Sequence, residues 1–554
     1  MRRSSWPVFG LATMYATVGF SGCTPEASCD SGWCGTVVVA SRPAQYLFPP
    51  LQELEVDMGA ADLIFSKLAD VGPSSNTIGD SDFLPNLASS WNFDDDLTIS
   101  VTLNPLARWH DGAPVTAQDV VFSFGVYQNP VVNSSARSRL GTIGSVTASD
   151  SMTVVFRFNQ SYPEQFYDAV SHVHILPSHL LESVPPEDLR SHEFALHPVG
   201  SGPYKVVRWM PGESLDLAAD STHHLGRPGV PRIIWSGVDQ PPDAVNELIA
   251  DRADYTHLVY DPSDLERIEQ ATHLRLVEYP SNTYNYVGFN LRDPENDSRP
   301  HPLFGNRDLR RAFVMAVNRP ALVQSVLGAN AIPSVGPVTP ALSIWDENLP
   351  ETIPFDSAAA RIALSELGWS DSDNDGTLDR DGSPLEFDFL VPPSAVRARG
   401  AVILQDQLAR SGIRMNIVEL DWAAFFERIN GGTFDAQFAS LGQDPSPAAL
   451  AIDWTEDGFG DFNVGKYSNP EYTRLTREAR TEVDRELSLE KWHAALKIIN
   501  EDAPAIWLWV PKKFAARHVR FADVVIFPFQ PFRGLPGWSV PPASLIQRDL
   551  FGAN

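Results

Sequence analysis

The sequence predicts an α/β protein, because helical and strand patterns alternate along almost its whole length. The strand candidates are short apolar runs or runs that alternate polar and apolar residues, and the helix candidates are longer segments with capping residues. The 554 residues and the hydrophobic content of 43% are sufficient for more than one buried core. At roughly 100–200 residues per domain, we expect about two to four folding units.

The strand candidates are spread over most of the chain. Residues 36–40 form a continuous apolar run, which is typical of a buried strand. Residues 97–103 and 413–420 alternate polar and apolar side chains, as half-buried strands do. Two further β-rich segments occur at 151–158 and 505–510.

The helix candidates lie between these strands. Residues 117–127 follow Thr116, whose hydroxyl is a suitable N-cap. Pro320 interrupts the helical pattern over 307–327, so we expect two helices that meet just before this proline. Further helical patterns occupy 358–367, 396–409 and 471–500.

The first residues have the layout of a secretory signal. Arg2 and Arg3 precede an apolar run over 6–20, and small residues follow this run. The run is shorter than the roughly 20 apolar residues that a membrane-spanning helix needs. We therefore predict a signal peptide over residues 1–22 and export from the cytoplasm.

The end of this signal resembles a bacterial lipobox, in which a cysteine is lipidated and becomes the mature N-terminus. It consists of Phe20, Ser21, Gly22 and Cys23, with Phe20 where leucine is usual. We predict that Cys23 carries the lipid and that residues 23–35 form a tether to the body. The alternative is ordinary cleavage, which leaves Cys23 unmodified. The predicted location is the periplasmic or extracellular face of the cell membrane.

The cysteine content and the net charge exclude several classes of protein. The three cysteines, Cys23, Cys29 and Cys34, lie near the N-terminus, so the body of the chain has no catalytic thiol. Cys29 and Cys34 are close enough for a short-loop disulfide, and two unpaired thiols are the alternative. The net charge of −28 argues against nucleic-acid binding. It favours a self-repelling surface or, more weakly, a preference for cationic ligands.

Several short motifs occur in an order that is specific in combination. In residues 103–124, a strand, a His-Asp-Gly turn and a capped helix follow one another. A second motif lies at 198–204, and a third, at 307–319, has Asn318 where aspartate is usual. Together with shorter matches, these segments resemble the extracellular solute-binding proteins of family 5, the oligopeptide, dipeptide and nickel-binding type. The shorter matches are 84–91, 405–413, 434–436, 467–470 and 502–504.

This resemblance implies a two-lobed periplasmic-binding-protein type II fold with an extra inserted α+β domain. Lobe I would comprise 36–78, 198–288 and a C-terminal return over 511–554. The inserted domain would comprise 79–197, and lobe II would comprise 289–510. The chain would cross between the lobes twice, so that the crossovers act as a hinge next to a deep cleft. A ligand that contacts both lobes would favour the closed state, which signals occupancy to the importer.

The resemblance also places a ligand-binding carboxylate in the loop after 434–436. In peptide-binding relatives, an aspartate in this loop pairs with the α-ammonium group of the ligand. Asp444, next to Gln443, is the nearest candidate in this sequence, with a helix-cap role as the alternative. Ser41, in the loop over 41–46 that follows the first strand, is a further candidate for the cleft wall.

Aromatic and polar residues on two strands are the remaining ligand-binding candidates. Tyr284, Asn285 and Tyr286 border the expected hinge, where aromatic rings can cover apolar ligand side chains. Core packing is the alternative interpretation of these residues. Trp507 is predicted to share one face of its strand with Trp509, and core packing is favoured for both.

Two groups of residues are candidates for metal binding. Asp371, Asp373 and Asp375 precede a glycine, as in an EF-hand calcium loop, although Gly382 stands at the position of the closing glutamate. A structural calcium ion and a plain acidic hairpin are therefore the alternatives, and we expect no other cofactor. The second group is interpreted as scattered structural histidines in preference to a transition-metal site: His172, His174, His223 and His224.

The sequence therefore predicts the substrate-binding component of an ABC importer, with a peptide as the favoured ligand. It would deliver this ligand to a permease and its ATPase, and we expect a monomer. The alternatives are a stand-alone sensor or scavenger lipoprotein and a nickel or oligosaccharide carrier of the same family. The sequence contains no Gly-x-Ser-x-Gly elbow, phosphate loop or His-Glu-x-x-His motif, so we predict no enzymatic activity.

Overall fold

The computed structural model of the protein describes residues 33–52, 55–346, 349, 352–460 and 462–550. The predicted signal peptide and the predicted lipidation site Cys23 lie outside these residues. Cys34 lies inside them and is disulfide-bonded. The other two cysteines of the sequence, Cys23 and Cys29, both lie outside the described residues. In the described part of the chain, no helix has the length and apolar character needed to cross a membrane.

Strands and helices alternate along the described residues, as the sequence predicts. The strands are β1 (Thr36–Ser41), β2 (Ala69–Val71), β3 (Phe83–Pro85), β4 (Ala88–Asp95), β5 (Thr98–Leu103), β6 (Ile143–Ala148), β7 (Thr153–Phe158), β8 (Tyr204–Met210), β9 (Ser214–Ala219), β10 (Arg232–Gly237), β11 (Tyr255–Val259), β12 (Leu274–Tyr279), β13 (Thr283–Phe289), β14 (Arg292–Asp293), β15 (Asn296–Pro300), β16 (Ala331–Pro333), β17 (Asp379–Arg380), β18 (Ser383–Pro384), β19 (Glu386–Val391), β20 (Arg414–Glu419), β21 (Ala436–Gly442), β22 (Ala505–Pro511) and β23 (Lys513–His518). The helices are α1 (Glu55–Ile64), α2 (Ala117–Gln128), α3 (Gln165–Val170), α4 (Ser178–Leu181), α5 (Pro241–Ile249), α6 (Pro262–Gln270), α7 (Arg307–Ala316), α8 (Arg319–Val326), α9 (Ser357–Glu366), α10 (Ala395–Ala409), α11 (Trp422–Asn430), α12 (Ala449–Trp454), α13 (Pro470–Thr481) and α14 (Arg485–Asp502).

Lobe I is built on a seven-stranded sheet with the order β12-β23-β11-β1-β10-β9-β8. The central strand β1 is buried along its whole length, which explains its continuous apolar sequence. It runs parallel to both of its neighbours, β10 and β11, whereas the other pairs are antiparallel. Strand β23 brings the C-terminal segment back into this sheet between β11 and β12.

Lobe II is built on a six-stranded sheet with the order β16-β22-β13-β21-β19-β20. Helices α7 to α10 pack on one face of this sheet, and α12 to α14 pack on the other. Helices on both faces explain why its inner strands are apolar on both sides. The protein is thus a two-lobed α/β fold, which confirms the predicted fold class.

A third sheet, with the antiparallel order β4-β5-β7-β6, forms the inserted domain together with α2, α3 and their connecting loops. One hydrophobic core extends from this sheet into the seven-stranded sheet of lobe I. It contains Val101 and Phe156 from the inserted domain and Val39 and Trp235 from lobe I. The inserted domain and lobe I therefore share their core.

The locally predicted elements are confirmed, with ends that differ by a few residues. Helix α2 begins with a capping box, in which both the N–H and the hydroxyl of Thr116 donate to Asp119. The helical pattern over 307–327 is divided into α7 and α8, as Pro320 predicts. The pattern over 471–500 is also divided, into α13 and α14.

The chain crosses between lobe I and lobe II at residues 280–282 and again at Lys512. The two crossovers lie side by side, because Tyr279 pairs with Lys513 at the end of the first sheet. In addition, Nζ of Lys513 donates to Oδ1 of Asn282 at 2.5 Å. Two short adjacent crossovers of this kind form a hinge about which the lobes can close.

Two predicted boundaries fall inside strands of lobe II, and the one after residue 510 is displaced by a single residue because β22 ends at Pro511. The predicted change from lobe I to lobe II after residue 288 falls inside β13, which pairs with β21 and β22 in the sheet of lobe II. Lobe II therefore begins at Thr283, directly after the crossover. A strand cannot be divided between two sheets without loss of its ladder hydrogen bonds.

The predicted arrangement of Trp507 and Trp509 is also wrong, because the two side chains lie on opposite faces of the lobe II sheet. Trp507 packs with α12 to α14, whereas Trp509 packs with α7 to α10. In β13, Asn285 pairs with Trp509, and the next residue, Tyr286, pairs with Trp507. Leu508 therefore has no partner in β13 and is an extra residue in β22. This β-bulge breaks the alternation of faces.

Candidate functional site

The loop that follows β21 meets the inserted domain at the junction between the lobes. Strand β21 ends at Gly442, and residues 443–446 then contact Arg139 and Glu164 of the inserted domain. A loop at the carboxyl end of a strand is the usual place for ligand binding in an α/β sheet. The two lobes are in direct contact at this loop, so the structure shows a closed arrangement here.

Asp444 forms an ion pair with Arg139 across this junction. Its Oδ1 also accepts a hydrogen bond from the N–H of Ser446 at 3.1 Å, and its side chain is 25% exposed. Removal from water disfavours the charge of Arg139, but Asp444, together with Tyr167 and Asp168, outweighs this effect, and the pKa of the guanidinium is raised. Helix α12 begins at Ala449, so Asp444 is not its N-cap. A carboxylate with this exposure can accept a further donor from a ligand.

Glu164 is buried at the same junction, between hydroxyl groups that come from different parts of the fold. Thr77 donates to its Oε1 at 2.5 Å, and Ser446 of lobe II donates to its Oε2 at 2.8 Å. Burial raises the pKa of Glu164 to about 7, and the negative charges of Asp168 and Asp444 act in the same direction. Glu164 therefore changes its charge near neutral pH, at a place where the lobes touch.

A third carboxylate, Asp453, lies on α12 in lobe II. It is 7% exposed, and none of the described residues donates a hydrogen bond to it. Burial, together with the negative charge of Asp444, raises the pKa of Asp453 to about 8, whereas Arg139 acts in the opposite direction. Asp453 is therefore mostly a neutral carboxylic acid at pH 7.

Gln443 links the loop to the hinge. Its N–H donates to the carbonyl of Asn282 at 2.7 Å, and the side-chain amide of Asn282 donates back to the carbonyl of Gln443 at 2.7 Å. Its Nε2 donates to the carbonyl of Pro337 at 2.9 Å, and the residue is 4% exposed. The side chain is thus held within lobe II, next to the first crossover.

Tyr284, Tyr286 and Trp507 form an aromatic cluster with Trp454 on one face of the lobe II sheet. The ring centroids of Tyr284 and Tyr286 are 5.4 Å apart, and those of Trp454 and Trp507 are 5.0 Å apart. Nε1 of Trp454 donates to the hydroxyl of Tyr284 at 3.1 Å. All four residues are buried in the core of lobe II, and Tyr286 and Trp454 also line a small pocket beside Tyr467.

Asn285 and Ser41 lie apart from this cluster. Asn285 is on the opposite face of β13, the face that also carries Val287 and Phe289. Ser41 is fully buried at the end of β1, and its carbonyl accepts the N–H of Val238 at 2.8 Å. Among the described residues, no hydrogen bond or ion pair joins the side chain of either residue to the loop over 443–446.

The three aspartates of the acidic hairpin lie close enough together to share a cation. Each of the three aspartates, Asp371, Asp373 and Asp375, has one carboxylate oxygen within 4.8 Å of a carboxylate oxygen of the other two. All three residues are exposed. Arg414 already donates to Asp375 at 2.7 Å. The oxygen atoms suit calcium, but position 382 is a glycine and supplies no side-chain ligand.

The histidines have structural partners. His172 lies 3.0 Å from Asp168, and His174 lies 2.8 Å from Asp62. His223 and His224 contact each other, with ring centroids 4.3 Å apart. In the described part of the chain, the one group of three or more possible ligands within metal-binding distance is the acidic hairpin. The aspartate partners of His172 and His174 agree with a structural role for these two residues.

Comparison with known proteins identifies the family. The sequence profile of the bacterial extracellular solute-binding proteins, family 5 (middle region), matches residues 82–462, which is more than half of the chain. The chain belongs to this family. It is accordingly an exported solute-binding protein of the type that serves ABC transporters.

Individual relatives agree with this family 5 assignment. The protein is 27% identical over 430 residues to the oligopeptide-binding protein AppA of Bacillus subtilis, with 76% of this chain and 77% of AppA covered. The solved structure of AppA from Bacillus subtilis in complex with a nonapeptide superposes on this protein with a TM-score of 0.75 and 24% sequence identity. The superposition covers 92% of this chain and 99% of AppA. The structure of NikZ from Campylobacter jejuni in complex with Ni(L-His) also superposes on this protein, with a TM-score of 0.75 and 24% sequence identity. This superposition covers 91% of this chain and 99% of NikZ. These structural likenesses establish the fold.

Proposed function

We propose that this family 5 protein is the substrate-binding component of an ABC importer and that its ligand is a peptide. The proposal depends on the position of Asp444 at the junction between the lobes. Two further carboxylates, Glu164 and Asp453, lie close to it. The carboxylate of Asp444 is partly exposed, and the two neighbouring carboxyl groups can lose their protons when a cation arrives, so the junction favours a ligand that carries an ammonium group. AppA, the relative described above, is named for the binding of oligopeptides.

Capture begins in an open state, in which the loop over 443–446 is separated from the inserted domain. The α-ammonium group of the peptide pairs with Asp444 as the lobes close, and it shares the carboxylate with Arg139. Because contacts to both lobes form only after closure, the peptide shifts the population toward the closed state. This closed state is the form that the permease recognises.

The proposed partners are a permease and an ATPase, and the protein acts as a monomer without catalytic activity and without nucleic acid. Lipid on Cys23 holds the protein at the membrane, and residues 23–35 form a tether between the lipid and the body of the protein. The substitution Cys23→Ser should release the protein from the membrane fraction into the soluble fraction. A wild-type protein that is already found in the soluble fraction would contradict the lipid anchor.

Calorimetry tests the ligand class. The titrants are peptides of four and nine residues, their N-acetylated forms, nickel with L-histidine, and an oligosaccharide. We expect peptides to bind and N-acetylation to weaken binding about tenfold or more, because it removes the cation that pairs with Asp444. Asp444→Asn should weaken binding of the free peptides and abolish the difference from the N-acetylated peptides.

The matched control is Asp406→Asn, because this exposed aspartate on α10 pairs with Arg410, the residue directly after the helix. It should bind peptides like the wild type. Binding of the nickel complex alone, or of the oligosaccharide alone, would overturn the proposed ligand class.

A further inference from the structure

Asp453 is a buried carboxyl group that the described residues leave without a hydrogen-bond donor. The two other carboxyl groups at the junction are satisfied, because Asp444 pairs with Arg139 and Glu164 accepts two hydroxyl donors. Removal of most of a carboxyl group from water without a donor to replace the lost hydrogen bonds costs free energy. An incoming ligand group is one means to supply the missing partner.

Aromatic side chains lie near Asp453. The phenol groups of Tyr284, Tyr286 and Tyr472 are close enough to interact electrostatically with its carboxylate. Trp454 follows Asp453 in the chain and packs with this aromatic cluster. Aromatic faces attract ammonium and guanidinium groups, and the attraction is stronger where water is excluded.

The other charged groups that influence Asp453 are Asp444 and Arg139, which are already paired with each other. Among the described residues, Asp453 therefore has neither a cation partner nor a hydrogen-bond donor. Its raised pKa, to about 8, means that it retains a proton until a cation arrives.

We propose that Asp453 forms a second cation subsite, which pairs with the ammonium or guanidinium group of a lysine or arginine side chain in the bound peptide. This inference rests on the proposed function, in which Asp444 pairs with the α-ammonium group. The ligand cation stabilises the carboxylate of Asp453, and the carboxyl proton is released to the solvent. The protein then prefers basic peptides to neutral peptides of the same length.

The test uses degenerate pools of peptides of four and nine residues with free N-termini. In each pool one position is fixed as lysine, arginine or the uncharged analogue norleucine. The pools are captured on immobilised protein, and the eluted peptides are quantified by mass spectrometry. We expect the wild type to enrich the lysine and arginine pools about tenfold over the norleucine pool, which is the preference that one ion pair typically supplies.

The test variant is Asp453→Asn, which keeps the size and the neutral state of the side chain and should therefore not lower the thermal midpoint. It should lose the preference for basic pools and still bind norleucine peptides. Asp406→Asn, the control on α10, should retain the preference. Calorimetry in two buffers of different ionisation enthalpy adds a second readout. At pH 7, wild type should release about one proton per basic peptide, and Asp453→Asn should release none.

The outcomes separate this inference from the proposed function. Equal capture of the lysine and norleucine pools by the wild type, or an unchanged preference in Asp453→Asn, overturns the subsite and leaves peptide binding intact. Failure of the wild type to capture any pool overturns the proposed function and this inference with it. If Asp453→Asn instead removes the discrimination against N-acetylated peptides, Asp453 is the α-ammonium site and the second subsite is overturned.

Discussion

The hydroxyl of Ser446 donates a hydrogen bond to Glu164 at 2.8 Å, and this bond joins lobe II to the inserted domain. The other oxygen of Glu164 accepts from Thr77 at 2.5 Å, so both oxygens of the carboxyl group are held. Ser446 lies two residues after Asp444, in the loop that we propose binds the peptide. The burial of Glu164 and the closure of the ligand loop therefore occur together, and the protonation of Glu164 is coupled to the position of the lobes.

Stability should fall as the pH rises from about 4.5 to about 7, and Glu164 should be one cause. Burial raises the pKa of Glu164 from 4.5 to about 7, so the unfolded chain loses this proton at lower pH than the folded chain. Below pH 4.5, protonated Glu164 contributes its full stabilisation to the folded state, up to about 3 kcal/mol. This contribution decreases as the pH rises and is lost above pH 7, about the pKa in the folded protein. The midpoint of urea unfolding should therefore differ less between a pH below 4.5 and a pH above 7 in Glu164→Gln than in the wild type.

The control for this prediction is Glu427→Gln, the same change at an exposed position of α11. It should leave the pH dependence unchanged. The raised pKa of Asp453, about 8, acts in the same direction as that of Glu164, so a double variant with Asp453→Asn should show the flattest profile. A wild-type pH profile in Glu164→Gln would show that this carboxyl group is not coupled to folding.

Arg139→Gln should make the ligand-free protein more open. The ion pair between Arg139 and Asp444 joins two bodies that move relative to each other, and Arg139 is 47% exposed. An ion pair with this exposure contributes up to about 1 kcal/mol, which corresponds to a roughly two- to fivefold change in the ratio of open to closed protein. Small-angle X-ray scattering should detect this change as a larger radius of gyration. Arg137→Gln, a change at an exposed neighbour that donates to the Gln128 carbonyl, should leave the radius unchanged.

Arg520→Leu should strongly destabilise lobe I. The Arg520 guanidinium donates two hydrogen bonds to Asp549, at 2.6 and 2.7 Å, and two to Asp254, at 2.9 and 3.1 Å. The side chains of Arg520, Asp254 and Asp549 are each at most 3% exposed. The substitution leaves Asp549 buried without its cation, which typically costs roughly 3–5 kcal/mol. The midpoint of urea unfolding should fall accordingly. Arg474→Leu, which removes exposed ion pairs with Glu471 and Glu478, should leave the midpoint unchanged.

Structural calcium at the acidic hairpin remains a proposal, and thermal unfolding tests it. Extracellular calcium sites bind with dissociation constants of about 0.1–1 mM, so millimolar calcium should raise the thermal midpoint by about 1–3 °C. Asp373→Asn should abolish the rise. An unchanged midpoint in the wild type, or the same rise in Asp373→Asn, would mean that these aspartates bind no structural calcium.

The elements of the fold could be predicted from the sequence because their signals are local. The capping box of Thr116 and Asp119 marks the start of α2, and Pro320 marks the start of α8. The loop that carries Asp444 could be located because it follows a strand within a family motif. Its partner Arg139 is 305 residues away in the chain, and no local pattern marks such a pair.

The rest of the site depends on tertiary structure in the same way. Ser446 and Glu164 are separated by 282 residues. Asp453 lies in an apolar helical segment, and its burial next to Asp444 appears only when α12 is packed on the sheet. The opposite faces of Trp507 and Trp509 depend on a bulge opposite β13, which the alternation of β22 alone does not encode.

The core that lobe I shares with the inserted domain limits how this protein can be engineered or can evolve. Excision of the four-stranded sheet would remove Phe156 and expose Phe124, which packs against it, and the exposed apolar surface would promote aggregation. A chimera that takes only this sheet from a homologue would have mismatched side chains across the seam. Arg139 and Glu164 are therefore inherited together with lobe I as one body, and recombination between family members can exchange ligand preference cleanly only at the two crossovers.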